Sequence, residues 1–170
     1  MLGQSLRRLL LDPEGPAVAL RTEALLMAAD RAEHVATVIE PALHAGTWVV
    51  SDRYTGSTIA YQGYGRGLPP DELARVAAFA TGGVAADLSI LVDVEVEVAA
   101  ARLAAGGSTD RLERLGADFA SRVREGFLTQ AVADPEHWVV VDGTEDVPAL
   151  TAHIVAAVHD RLGVPPATPP

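Results

Sequence analysis

Lysine is absent from this chain of 170 residues, and all thirteen basic residues are arginine. A Walker-A loop, a phosphate-gripping lysine and a Schiff-base lysine therefore cannot be built from these residues. A coding bias towards arginine would give the same composition without changing that exclusion. Cysteine is absent as well, which removes disulfides and thiolate metal sites. Basic charge is scarce: the net charge is −10. That excludes the broad basic face that nucleic acids require, so an anionic ligand would need locally clustered arginines. No apolar run approaches the length of a membrane span. The first residues, MLGQSLRRLL, lack the basic, apolar and small order of a signal peptide. A cytoplasmic protein without nucleic-acid or membrane partners is the expectation.

What is present is globular: 49% of residues are hydrophobic and 21% charged, and the length suits one core. Residues 2–11 form a short helix in this reading, broken by Asp12-Pro13-Glu14-Gly15-Pro16. A long helix begins near Glu23 with Thr22 as its N-cap. It carries Leu25, Ala28, Ala32, Val35 and Ile39 on one face, with Met27 and Arg31 together on another. Pro41 kinks or restarts it, and Gly46 suits the position after its end. Three apolar runs read as buried strands: 47–52, 87–93 and 138–142. A glycine-rich polar segment, Tyr54 to Gly67, follows the first. Helices are predicted over 70–80, 95–104, 117–132 (Phe119, Val123 and Phe127 on one face) and 147–162. Residues 1–162 form one domain, and 163–170 a disordered proline-rich tail. Strands alternating with helices imply βαβ units and a parallel sheet covered on both faces.

Each run ends in aspartate: Asp52, Asp93 and Asp142. Open α/β sheets bind ligands at the carboxyl ends of their strands, where three acids could hold a metal or orient other groups. Aspartate also simply favours such turns. Asp52 differs because Arg53 follows it. The carboxylate can orient a hydrated magnesium ion, and the guanidinium can grip a phosphate through two parallel hydrogen bonds. Ser57, Thr58, Tyr61 and Gln62 add hydroxyls, a ring and an amide within ten residues. From spacing alone, a ligand site and a surface ion pair before a polar loop stand level. The five histidines show no ligand spacing. Arg122 and Arg124 read as solvating their helix, and Tyr64 as packing.

The segment DRYTGSTIAYQGYGRGL, Asp52 to Leu68, resembles the DR(Y/H)xxSxxAYQGxGRG motif of bacterial thymidylate kinases. LLMAADRAEHV, FATGG with DLSILVDV, TDRLE, RVREGF and VVVDGT follow the family's order, and together they are specific where one short pattern is not. The resemblance spans about residues 2 to 162. It implies an α/β fold, a P-loop NTPase-like three-layer sandwich around a parallel sheet, and transfer of the γ-phosphoryl group of ATP to dTMP with magnesium. It further implies that Arg53 holds the dTMP phosphate, Asp52 acts near the metal, and Arg31 meets the thymine edge. Ser57, Thr58, Tyr61 and Gln62 would line the nucleoside pocket. Arg111 and Arg114 would close over the phosphates, and Asp142 and Thr144 would lie near adenine. The family's homodimer is expected by analogy.

Two departures accompany the likeness. Met27 stands where the family usually stacks phenylalanine on thymine, and its thioether can still pack a base face. Met1-Leu2-Gly3 resembles the turn after the family's second strand. The first strands and the P-loop, about 40 residues or one βαβ unit, are thus expected to be missing. The missing first strand would pair between the strands ending at Asp52 and Asp93, so this polypeptide is expected to be poorly stable and inactive by itself. A sharp thermal transition at high temperature would contradict the first expectation. A non-catalytic dTMP-binding or dimerising relic, and a kinase with another nucleotide acceptor, are the alternatives.

Overall fold

The computed structural model describes residues 2–12, 15, 17–106, 112 and 115–163. In chain order the elements are α1 (Leu2–Leu11), α2 (Leu20–His34), a π turn (Val35–Ile39), α3 (Glu40–His44), α4 (Thr55–Thr58), a π segment (Ile59–Gly65), α5 (Pro70–Thr81), β1 (Ser89–Asp93), α6 (Val96–Gly106), α7 (Ala117–Ala133), β2 (Trp138–Asp142) and α8 (Val147–Leu162). β1 and β2 pair in parallel, Ser89 opposite Trp138 through to Asp93 opposite Asp142. The crossover between them is α6 and α7, as a parallel pair requires.

Helix α2 starts at Leu20 behind Ala19, which makes no side-chain cap, so Thr22 lies inside the first turn rather than capping it. Its buried stripe is Ala24, Ala28, Val35 and Ile39, while Leu25 is exposed. Starting the helix three residues earlier than expected does not rotate this stripe; Leu25 lies one position off it. Proline 41 has no N–H to give. The wide turn before it closes through Glu40 N–H donating to Val35 O, so the chain reaches the proline by π geometry rather than by a break. Beyond α3, Gly46 sits at φ +72°. Gly46 N–H donates to Leu43 O, and Thr47 N–H to Ala42 O, which closes the helix in a Schellman-type end.

Residues 47–52 are not a strand: among the described residues no strand pairs with them. The segment is apolar enough, but a strand exists only as part of a ladder. Here Trp48 and Val50 stand exposed. The two strands that do form are also covered only in part, since Val92 and Val140 are exposed.

Within the glycine-rich polar segment Tyr54 to Gly67, residues 55–65 are helical. α4 and the π segment make one continuous helical stretch, 55–65. Its glycines serve packing. A Cβ on Gly65 would stand 2.5 Å from the Phe119 ring, and one on Gly56 would stand 2.9 Å from Trp138. Reciprocally, a Cβ on Gly126 of α7 would lie 2.8 Å from Tyr64. Removing side chains at these points lets helix meet helix and ring at close range. The core sits at this contact: Ala60, Phe119 and Val123 are buried, with Tyr61 and Phe127 packed against them. Tyr61 meets both phenylalanines edge to face, at 6.0 and 6.2 Å. The stripe expected on α7 is therefore the one that is used.

Candidate functional site

The stretch 55–65 carries four of the predicted site residues, Ser57, Thr58, Tyr61 and Gln62, and α2 carries Met27 and Arg31. Glu23, Met27 and Arg31 are four residues apart, so they form one stripe on α2. Both ends of that stripe reach the helical stretch. Arg31 donates from Nη1 to Thr58 Oγ1 at 2.7 Å and lies 5.6 Å from the Tyr54 ring centre. Glu23, only 3% exposed, accepts from Gln62 Nε2 at 3.1 Å and from Arg66 Nε and Nη2 at 3.2 and 2.8 Å. Met27 is half-buried between these two anchors.

Burial draws the Arg31 guanidinium below its ordinary arginine value, with Tyr54 and Asp30 opposing the shift. Tyr54 donates its hydroxyl to Val84 O at 2.9 Å. Burial raises the Tyr54 hydroxyl, while Thr81 and Arg31 pull it down. Thr58 and Gln62 are themselves buried. Their side chains hold Arg31 and Glu23 in place.

Arg53 is exposed and has φ +71°, the one non-glycine residue with positive φ among those described. That left-handed conformation costs about 1–3 kcal/mol and concentrates at functional sites. It turns the guanidinium to 4.8 Å above the Tyr61 ring, a cation–π contact. Ser51 Oγ donates to Arg53 O at 2.9 Å, which helps to hold the turn. Arg31 and Arg53, 22 positions apart in sequence, thus address the same short helix at Thr58 and Tyr61. Ser57 is half-buried beside them.

The three strand-end aspartates do not converge on one centre. Asp93 is taken by Arg124, whose Nε and Nη2 donate to its two oxygens at 2.8 and 2.9 Å. That pair holds the Asp93 carboxyl below its ordinary value, chiefly by the hydrogen bond. Asp142 Oδ1 accepts from Thr144 N–H at 2.8 Å and Thr144 Oγ1 at 2.6 Å, which lowers its carboxyl likewise. Asp52 stays exposed. Among the described residues no three acidic or histidine side chains cluster as a metal cage. A single carboxylate still fits magnesium, which keeps most of its waters and uses substrate phosphates as ligands. Arg111 and Arg114 lie outside the described residues, as does the tail beyond Gly163.

Two groups were not singled out from sequence. Glu23 and Arg66 form the buried ion pair behind the site. The signal for Glu23 was available, since it extends the Met27 and Arg31 stripe by one turn. Arg122 and Arg124 do more than solvate α7. Arg122 Nε and Nη2 donate to Gly65 O at 3.3 and 3.1 Å, and Arg124 bonds Glu95 besides Asp93. A cavity of about 590 Å³ between α6 and α7 is lined in part by Glu95 and Arg124, and one of about 230 Å³ between α4 and α5 in part by Gly56, Ile59 and Gln130.

The family model for thymidylate kinase matches residues 1–154. The chain belongs to the thymidylate kinase family. A thymidylate kinase from Desulforudis audaxviator is 43% identical over 164 residues, 94% of this chain and 74% of that protein. One from Methylobacillus flagellatus is 42% identical over 159 residues, covering 94% and 77%. A third, from Burkholderia mallei, is 46% identical over 149 residues, covering 88% and 71%. Family membership brings the P-loop NTPase fold class, a kinase activity, ATP as phosphoryl donor and dTMP as acceptor. The helix-rich α/β arrangement around a parallel strand pair agrees with it. No helix among the described residues is long and apolar enough to cross a membrane.

Proposed function

We propose that these 170 residues carry the dTMP site of a cytoplasmic, homodimeric thymidylate kinase. The carrying observation is the convergence of Arg31 and Arg53 on one helix, at Thr58 and Tyr61. Arg53 grips the 5′-phosphate and Arg31 reads the thymine edge. Met27 packs the base, and Ser57, Thr58, Tyr61 and Gln62 shape the nucleoside pocket. A strained arginine at the rim is positioned before substrate arrives, so little order is lost on binding.

Phosphoryl transfer asks the protein for placement and positive charge rather than covalent chemistry. Arg53 aligns the acceptor phosphate, while Arg111 and Arg114 close over the transferred group. Asp142 and Thr144 border the adenine. Asp52 would hold hydrated magnesium, which when bound neutralises phosphate charge. No lysine occurs among the 170 residues, so they offer no Walker-type lysine to the ATP phosphates. We expect the chain by itself to bind dTMP without turning it over.

Calorimetric titration of dTMP into the chain tests this. Saturable binding is expected, weakened about 10- to 100-fold in Arg53→Gln, the worth of charged hydrogen bonds at about 1.5–3 kcal/mol. If the unaltered chain does not bind dTMP, or the variant binds equally well, the assignment is wrong.

A further inference from the structure

The helical stretch 55–65 is a poor element by itself. Seven of its residues lie in π geometry, a rare form that occurs mostly at functional sites. Besides the α2 contacts at Thr58 and Gln62, α7 holds it in place. Gln130 Nε2 donates to Gly56 O at 3.1 Å, near the start of the stretch. Arg122 donates twice to Gly65 O, at its end. Eight residues of α7 span about 12 Å, so one helix holds the other at both ends. Alongside these two bonds Phe119, Val123 and Phe127 pack against Ala60 and Tyr61. Arg124 points elsewhere, to Asp93 and Glu95 at the exit of β1, and so ties α7 to the sheet.

We propose that Arg122 and Gln130 are positioning residues for dTMP, acting through α7 as a splint that sets Tyr61 and Gln62 relative to Arg53. The proposal rests on the acceptor assignment above. Neither residue touches the nucleotide in this scheme; each supplies a donor to a carbonyl of the site helix. Loss of the Arg122 bonds takes both side-chain donors from Gly65 O, and the segment frays from Gly65 backwards.

The test combines dTMP titration with amide hydrogen exchange on the 170-residue chain. Arg122→Gln is expected to weaken dTMP binding about tenfold, the equivalent of one hydrogen bond. It should also speed exchange at 59–65 while leaving α5 and α8 unchanged, which a general loss of stability would not do. Arg122→Lys, which can still reach Gly65 O with one donor, should recover part of both effects. Unchanged binding in Arg122→Gln overturns the proposal, whether or not exchange moves. Faster exchange spread evenly over the chain overturns it too. If the unaltered chain binds no dTMP, the acceptor assignment fails first and takes the positioning role with it. If Arg122→Gln does not fold, Gln130→Ala carries the same two measurements.

Discussion

Behind the site helix, the Glu23 carboxylate is buried and holds Gln62 and Arg66, whereas Val50, an aliphatic side chain 96% exposed, stands in a segment that pairs with no strand among the described residues. Polar groups are inside and apolar groups outside, the reverse of the usual ranking. Burial here follows the availability of partners. Glu23 has three donors directed at its two oxygens, so it can leave water. Val50 has no ladder neighbour to fold under, so it cannot. The same contrast separates Arg124, locked between Asp93 and Glu95, from Val92 and Val140 on the strands beside it.

The largest effect should follow from Glu23→Ala. Removing one member of a buried pair strands the other, at about 3–5 kcal/mol. The Arg66 side chain keeps 17% exposure, so the lower end is expected, read from urea unfolding midpoints. A loss below about 1 kcal/mol would erase the contrast between the two regions.

A smaller effect concerns acid. Arg124 depresses the folded Asp93 carboxyl below the ordinary 3.8. The pair's stabilisation is therefore complete above that value and disappears as pH falls through the depressed one. Stability measured from pH 5 downward should fall, and Arg124→Gln should flatten that limb. An unchanged acid limb in the variant would show that Asp93 draws nothing from the pair.

The least effect is expected at Val50→Thr, within about 0.5 kcal/mol, as for surface substitutions generally. A clear destabilisation there would mean that Val50 is covered in the working protein.

Much of the site was legible in the sequence because its chemistry is local. Arg53 follows Asp52 directly, and Thr58 and Tyr61 lie within one segment. The i, i+4 spacing of Met27 and Arg31 placed them together on α2. Arg66 was passed over because its pairing with Glu23 spans 43 positions, and no local pattern announces such a contact. The same distance hid Arg122, whose carbonyl partner is 57 residues away.

Composition settled by itself that no lysine takes part, and the local helix and breaker signals placed α1 and α8 where they form, because those signals need nothing beyond neighbouring residues. Tertiary structure decided two matters that propensity misjudged. Segment 55–65 became a helix because its glycines let Phe119, Trp138 and α7 approach closely. Segment 47–52 stayed unpaired because a strand is a relation between two chain segments, and an apolar run supplies only one of them.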